Sequence, residues 1–188
     1  MFNSLSNLPA VPYNIITHLA IQDEIIWKML KYNSYDALSK PNLTLKEKLD
    51  LIWKQGSDED YGVFLKPLVE DAITQSKSIM KCYQYYINPE QPHLSNVTFA
   101  FDFLYGGNMS LVEYNGIPVS RGDLFIHRLL YILNGADVGG VGKLIFHENI
   151  SRYSSAMSTI GNSKTFSGVQ IFMTVKIGDS GRKSECED

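Results

Sequence analysis

Apolar side chains recur at helical spacing in the first third of the chain. Over residues 13–31 the repeat is carried by Ile15, Leu19, Ile26 and Leu30, which predicts one amphipathic helix. Thr44-Leu-Lys-Glu47 then has the form of a capping box, because each of its end side chains can bond the other residue's backbone N–H. It predicts a second helix over about residues 45–55, which Gly56 ends.

The apolar period changes to two in the middle of the chain. Residues 79–87 are tyrosine-rich and compatible with a strand, while residues 97–105 place an aromatic or valine at every second position. Both patterns are typical of β-strands, as is the alternation over residues 169–177. Residues 143–147 form a shorter candidate strand, and Tyr114-Asn-Gly-Ile117 predicts a tight hairpin turn.

One further helix is predicted between these strands. Ser120 and Asp123 form an N-terminal cap, the apolar face runs over residues 121–133, and Asn134-Gly135 ends the helix. This order predicts an α+β fold: an antiparallel or mixed sheet with a helix packed on one face, preceded by an N-terminal helical arm. The predicted regions are residues 1–56 (helical), 57–178 (α+β core) and 179–188 (a disordered polar tail).

Composition and charge narrow the class of protein. The 188 residues are 44% hydrophobic and 20% charged, with a formal net charge of -3, which indicates a globular chain that does not bind nucleic acid through its overall charge. The sequence contains no apolar run of membrane-spanning length, so we expect no membrane partner. Two cysteines, Cys82 and Cys186, do not suggest a disulfide framework.

The glycine-rich segment NGADVGGVGKLIF, residues 134–146, resembles a phosphate-binding loop only at first sight. The pattern G-x-x-x-x-G-K-[S/T] would require glycine at Asp137 and a hydroxyl at Leu144. An aspartate there would repel phosphate, and leucine cannot bind the magnesium ion. We therefore expect no nucleotide cofactor.

Other catalytic or metal-binding patterns are sparse. His147-Glu148 begins an H-E-x-x-H pattern, but Ser151 replaces the second zinc ligand, so no metal site is expected. Asp102, His127 and His147 could form an enzyme site only if a cleft between the helical arm and the sheet brought them together. We expect no catalytic residues and no enzymatic activity, with a small enzyme of this kind as the alternative.

The aromatic residues of the strands allow a second alternative. Tyr83, Tyr85 and Tyr86 could form a stacking or protein-interaction surface, but alternating aromatics in adjacent strands more often build a core, and few basic residues accompany them. An interaction module that uses this tyrosine-rich strand edge therefore stays open as an alternative function.

Several stretches resemble tailed-bacteriophage head–tail connector, or neck, proteins. They are LSKPNLTLKEK (38–48), NGIPVSR (115–121), LNGADVGGVG (133–142) and TFSG (165–168). The resemblance covers most of residues 5–178. The predicted order of elements from residue 98 to 177 is similar to that of the tail terminators.

The resemblance implies a structural virion protein. Such a subunit would be made in the cytoplasm of the host bacterium and would form a homo-oligomeric ring in the virion neck, a hexamer or alternatively a dodecamer. Its partners would be neighbouring connector or portal-side proteins and tail-tube proteins. Genomic DNA would pass through the channel without sequence-specific binding.

The resemblance also implies roles for two loops. Glycine lets backbones approach closely, so Gly135, Gly139, Gly140 and Gly142 would make a docking loop toward a neighbouring protein. Residues 150–166 are rich in serine and threonine and lack a period. They would form an assembly loop that is mobile in the free subunit and becomes ordered when Tyr153, Met157 and Ile160 meet a partner.

Overall fold

A computed structural model describes residues 5–67, 77–91, 94–138, 142–146, 157–162 and 166–178. Within these ranges the N-terminal region contains helices α1 (Val11–Gln22), α2 (Ile25–Lys31) and α3 (Leu45–Asp50). The hairpin strands are β4 (Leu111–Tyr114) and β5 (Ile117–Ser120), and helix α4 (Arg121–Leu133) follows them directly. The remaining strands form one sheet.

The helix predicted over residues 13–31 is two helices, so that prediction was wrong about its continuity. At Asp23 the backbone becomes extended, and its Oδ1 accepts a hydrogen bond of 2.6 Å from the N–H of Ile26. A carboxylate in this place satisfies an N–H that the first turn of α2 leaves without a partner. The apolar repeat continues through the break, because both helices contribute buried side chains to the same apolar core.

The capping box at α3 is confirmed. The Glu47 N–H donates to Thr44 Oγ1 at 3.3 Å, and the Thr44 N–H donates to Glu47 Oε2 at 2.8 Å. The helix ends at Asp50, earlier than predicted, because the following residues pair with another segment. The Trp53 N–H donates to the Val63 carbonyl at 2.8 Å.

The sheet is mixed and has the order β1-β2-β3-β8-β6, with β7 beside β8 as well. Its strands are β1 (Val63–Phe64), β2 (Ile79–Gln91), β3 (Leu94–Gly106), β6 (Ile145–Phe146), β7 (Met157–Asn162) and β8 (Phe166–Gly178). Only the β1–β2 pair is parallel in the described part of the chain. The long central strands β2, β3 and β8 are antiparallel neighbours, which confirms the predicted α+β fold.

Helix α4 packs on one face of this sheet, as predicted. The rings of Phe125 and Phe103 stack with centroids 4.6 Å apart. The sheet also contacts α1 through β2, and α2 packs against α4, so the N-terminal helices and α4 share a continuous apolar core with the sheet. The domain boundary at residue 56 stays a prediction, and the predicted tail lies outside the described residues.

The assembly loop was predicted without regular structure, and this is wrong for its second half. Residues Met157–Asn162 form β7, which pairs antiparallel with β8 from Met157↔Ile171 to Asn162↔Phe166. Met157 and Ile160 therefore belong to a strand. Tyr153 lies outside the described residues.

The backbone of β8 passes close to β3 at Gly168. A Cβ atom added at Gly168 would collide with the Phe103 carbonyl oxygen and would lie 2.7 Å from Leu104 Cδ2. A carbonyl inside a paired strand cannot move without disturbing the ladder. Glycine is therefore required at this position.

We predict that Gly168→Ala lowers the free energy of unfolding by about 1–3 kcal/mol, the usual range for overpacking. Gly62→Ala is the matched control, since the nearest atom to its added Cβ would be 3.6 Å away. Urea denaturation of both variants measures the difference. Equal stability of the two would show that β3 and β8 separate easily at this point.

Candidate functional site

A groove on the solvent side of α4 is the candidate site in the described part of the chain. It has a volume of about 420 Å³ and lies between α4 and the β4–β5 hairpin. The lining residues are Tyr114, Val119, Asp123, Leu124, His127, Arg128 and Tyr131. The helical residues lie three or four positions apart, so they share one stripe along α4.

The groove has apolar walls and exposed rims. Tyr131 on the helix is 80% exposed, and Ile117, the register partner of Tyr114 at the hairpin turn, is 58% exposed. The hairpin is held by Asn115 and Gly116, which have φ values of 54° and 80°, as its two-residue turn requires. Exposed apolar groups around a groove are typical of a surface that binds another protein.

An ion pair holds Arg128, one of the residues that line the groove. Arg128 Nη2 and Asp23 Oδ2 are 2.7 Å apart, and the Asp23 side chain is fully buried. Because Asp23 also caps α2, this pair joins the break between α1 and α2 to the middle of α4. The Arg128 guanidinium lies 5.5 Å from the centre of the Tyr131 ring, a cation–π distance.

A second polar group, Arg121, is completely buried at the start of α4. Its Nη1 donates to the Met29 carbonyl at 3.0 Å and to Ser78 Oγ at 2.9 Å. Its Nη2 donates to the carbonyls of Tyr32 at 3.3 Å and Ser34 at 2.6 Å. Burial lowers the pKa of this guanidinium. The arginine is thus a structural clamp, and the sequence triplet Arg-Gly-Asp around it is part of a helix N-terminus.

Asp102 lies in a buried row across the three central strands. Its Oδ2 is 2.7 Å from Lys81 Nζ, and its Oδ1 accepts from Gln170 Nε2 at 2.7 Å. Both partners are its direct register neighbours on β2 and β8. Tyr83 OH also donates to Oδ2 at 3.3 Å. Each oxygen of the carboxylate is therefore bonded, which is the expected state of a buried charge.

The structure does not bring the residues of the enzyme alternative together. Asp102 alternates along β3 with Phe101 and Phe103, which face the helices, so its side chain lies on the other face of the sheet. His127 is exposed on α4, with the sheet between it and Asp102. His147 lies outside the described residues. An enzyme site would then have to rely on Asp123 and His127 of the groove.

Contacts within the subunit explain two of the glycines in the predicted docking loop. Gly135 has a φ of 84°, and its N–H donates to the Leu144 carbonyl at 2.7 Å. Gly142 has a φ of 119°, and an added Cβ would lie 3.0 Å from the Lys176 carbonyl oxygen. Gly135 therefore helps to close the loop on itself, and Gly142 lets the loop approach β8. Gly139 and Gly140 lie outside the described residues.

Three other kinds of site concern the described residues: a metal site, a membrane-spanning helix and a reactive thiol. Among the residues that the structure describes, no group of three or more His, Cys, Asp or Glu side chains could hold a metal ion. None of the described helices is long and apolar enough to cross a membrane. Cys82 is buried, as expected for an inert thiol, and burial raises its pKa.

We predict that Arg121→Met lowers the free energy of unfolding by at least about 3 kcal/mol, because four acceptors lose charged donors that contribute about 1.5–3 kcal/mol each. Arg121→Lys should recover only part of this, since a single ammonium cannot replace a planar fork of donors. Urea denaturation is the measurement. If Arg121→Met were as stable as the wild type, the structural role of Arg121 would be contradicted.

Alkaline pH provides a separate test of the buried row. Burial, followed by the charge of Asp102, raises the pKa of Tyr83 and of Cys82. The unfolded chain then loses these protons first, so stability is full below the unfolded pKa values and falls as pH rises above them. We expect the decline to begin near pH ~8.5 and steepen above ~10. Tyr83→Phe should reduce the loss of stability at the higher pH values, as measured by urea denaturation at a series of pH values. An unchanged dependence of stability on pH would contradict this prediction.

Comparison with known proteins connects the chain to bacteriophages. The sequence matches the family described as YomW over residues 23–175, a span that includes α2 to α4 and nearly all of the sheet. The family is phage-associated, which supports the phage part of the resemblance. A comparison with curated proteins found no match. Because the matched span is most of the chain, this protein belongs to the YomW family.

Proposed function

We propose that this phage-associated protein is a structural virion component that forms a ring in the neck and joins head and tail around the DNA channel. Its place would be that of the tail terminator or of the adjacent connector. The observation that carries the proposal is the order of elements in the C-terminal half of the chain. Strand β3, α4, β6 and β8 follow in the order that the neck resemblance implies, with β7 added where a long loop was expected.

The way in which the buried charged groups are bonded supports a structural role for this protein. Arg121, Asp102 and Asp23 are each at most 3% exposed, and each is bonded to neighbours that hold two or more elements together. Groups that act on a substrate must be reachable by it. These three are closed off inside the fold, where they stabilise the subunit.

The exposed features are those that a ring subunit needs. The groove beside α4 offers apolar surface to another protein, and the loop after α4 is closed on itself by backbone bonds of Gly135 and Ala136 with Leu144. Its exposed side chains, Asp137 and Lys143, lie at the two ends of an isolated antiparallel bridge. A loop held in this way can contact a neighbouring ring at a small entropic cost.

The net charge of -3 suits passage of DNA through a ring. Binding of DNA is dominated by cationic groups that displace counterions from the phosphates. The acidic balance of this chain leaves its lumen without a strong hold on DNA. The DNA can then slide during ejection.

The direct test is the mass and shape of the purified protein, alone and with isolated tail tubes. We expect rings in electron micrographs, a mass of about six or twelve subunits, and addition of the rings to one end of the tubes. A protein that stays monomeric and adds to neither tails nor portals would overturn the proposal.

The docking loop can be tested independently in the phage. We expect Asp137→Ala with Lys143→Ala to leave the unfolding midpoint unchanged and to reduce the yield of joined particles at least about tenfold, a loss of roughly 1.4 kcal/mol of binding. The matched control is Asp50→Ala with Lys54→Ala, another exposed pair of opposite charges. If heads and tails still joined normally in the Asp137→Ala, Lys143→Ala variant, the loop would not be part of the contact with the neighbouring protein.

A further inference from the structure

The edges of the two sheets differ in how they are protected. A strand at the edge of a sheet has one row of backbone N–H and C=O groups that no neighbouring strand bonds. Proteins protect such rows with short strands, charged residues, prolines, bulges or covering segments. In the described part of this chain, the mixed sheet ends at β1 and β2 on one side and at β6 and β7 on the other. The β4–β5 hairpin is a separate two-stranded sheet.

Five of these edge strands are protected. Strands β1 and β6 are only two residues long. Strand β2 has two register shifts against β3 and contains Pro89. In the hairpin, β4 donates the Glu113 N–H to the Tyr35 carbonyl at 2.8 Å, and β5 contains Pro118. Each of these edges therefore has a feature that hinders the addition of another strand.

Strand β7 lacks all of these features. Its six residues, Met157–Asn162, include no charged residue and no proline. They pair with β8 without a register shift, and β8 pairs with β3 in the same regular way. Within the described ranges, no strand pairs with the other side of β7. A regular and uncharged edge is a template for a further strand.

We propose that β7 pairs with β7 of a second copy of this chain, antiparallel about a two-fold axis, so that the two sheets join into one. Because the other described edges are protected, β7 is the strand that each copy can offer to the other. The pairing brings no like charges together, since β7 has no charged residue. A two-fold contact uses the same surface on both molecules, so it covers both open edges at once and stops at two copies.

The pairing goes beyond the proposed ring and does not depend on it. Ring closure needs two different surfaces on each subunit, whereas a two-fold contact uses one surface twice. If rings form through other surfaces, the β7 pairing joins two rings. Met157 and Ile160, which were expected to meet a partner on assembly, both lie in this strand.

Proline at adjacent positions of β7 tests the pairing. Successive N–H groups of a strand point to opposite edges, so one of Thr159→Pro and Ile160→Pro loses a bond to β8 and the other loses an outward N–H. We expect the first to lower the midpoint of urea denaturation. The second should keep the wild-type midpoint and reduce the mass of the assembly, measured by sedimentation, to one half. The two variants are therefore matched controls for each other.

Hydrogen exchange of the wild type is a second measurement, which does not depend on how the variants fold. The outward N–H groups of β7 exchange slowly when they are bonded across the axis and fast when they face water. We expect the protection of residues 157–162 to fall as the protein is diluted until the pairs dissociate. Residues 82–91, on the protected edge of β2, are the control and should exchange at the same rate at each concentration.

Three results would overturn the pairing. One is a wild-type protein that is monomeric, or whose assemblies keep their full mass in both proline variants. Another is exchange at residues 157–162 that is fast at each concentration, even if rings form. The third is protection of β7 that requires another virion protein, which would make a strand of that protein the occupant. Protected dimers that form no rings would support the pairing and contradict the neck proposal.

Discussion

The fold depends on one buried cation. The carbonyls of Met29, Tyr32 and Ser34 lie at and just after the end of α2, where a helix leaves its carbonyl groups without intrahelical partners. Arg121 supplies donors to all three, and a positive charge is favoured at a helix C-terminus. The acceptors are separated from the arginine by 87 to 92 residues of sequence. Arg121 therefore joins the start of α4 to the C-terminal end of α2.

The same side chain also fixes α4 against the sheet. Its bond to Ser78 Oγ lies one residue before β2. Further along the helix, Phe125 stacks on Phe103 of β3, and Arg128 bonds to Asp23. Three anchors spaced along α4 hold its inner side. Each anchor joins α4 to a different part of the chain, so the sheet and the N-terminal helices become one body.

Local signals in the sequence predicted most of the elements. The capping box at Thr44, the cap at Ser120 and the Asn115-Gly116 turn are each formed within four residues, so the sequence contains both partners of each interaction. The alternation in β3 and β8 was equally informative, since one face of each strand is buried. These signals were sufficient for the fold class and for α4.

Non-local interactions could not be predicted in the same way. Nothing near Asp23 in the sequence shows that Arg128 will pair with it across 105 residues, so the break between α1 and α2 was missed. Strand β7 forms because β8 offers an edge, and residues rich in serine and threonine accept that pairing despite a weak local pattern. The groove was missed for a related reason. Its walls come from a hairpin and a helix, and only tertiary packing shows that their outer sides meet.

The row that contains Asp102 illustrates how the sheet fixes its register. Lys81, Asp102 and Gln170 are direct neighbours on three strands, and a shift of one residue would turn each of them to the opposite face. Aromatic side chains of β3 would then leave the core, and a buried charge would lose its partner. The register of the central strands is therefore set twice, by apolar burial on one face and by ion pairing on the other. Because α4 is anchored to the N-terminal helices through Arg121 and Arg128 and to β3 through Phe125, its outer face is held in one shape.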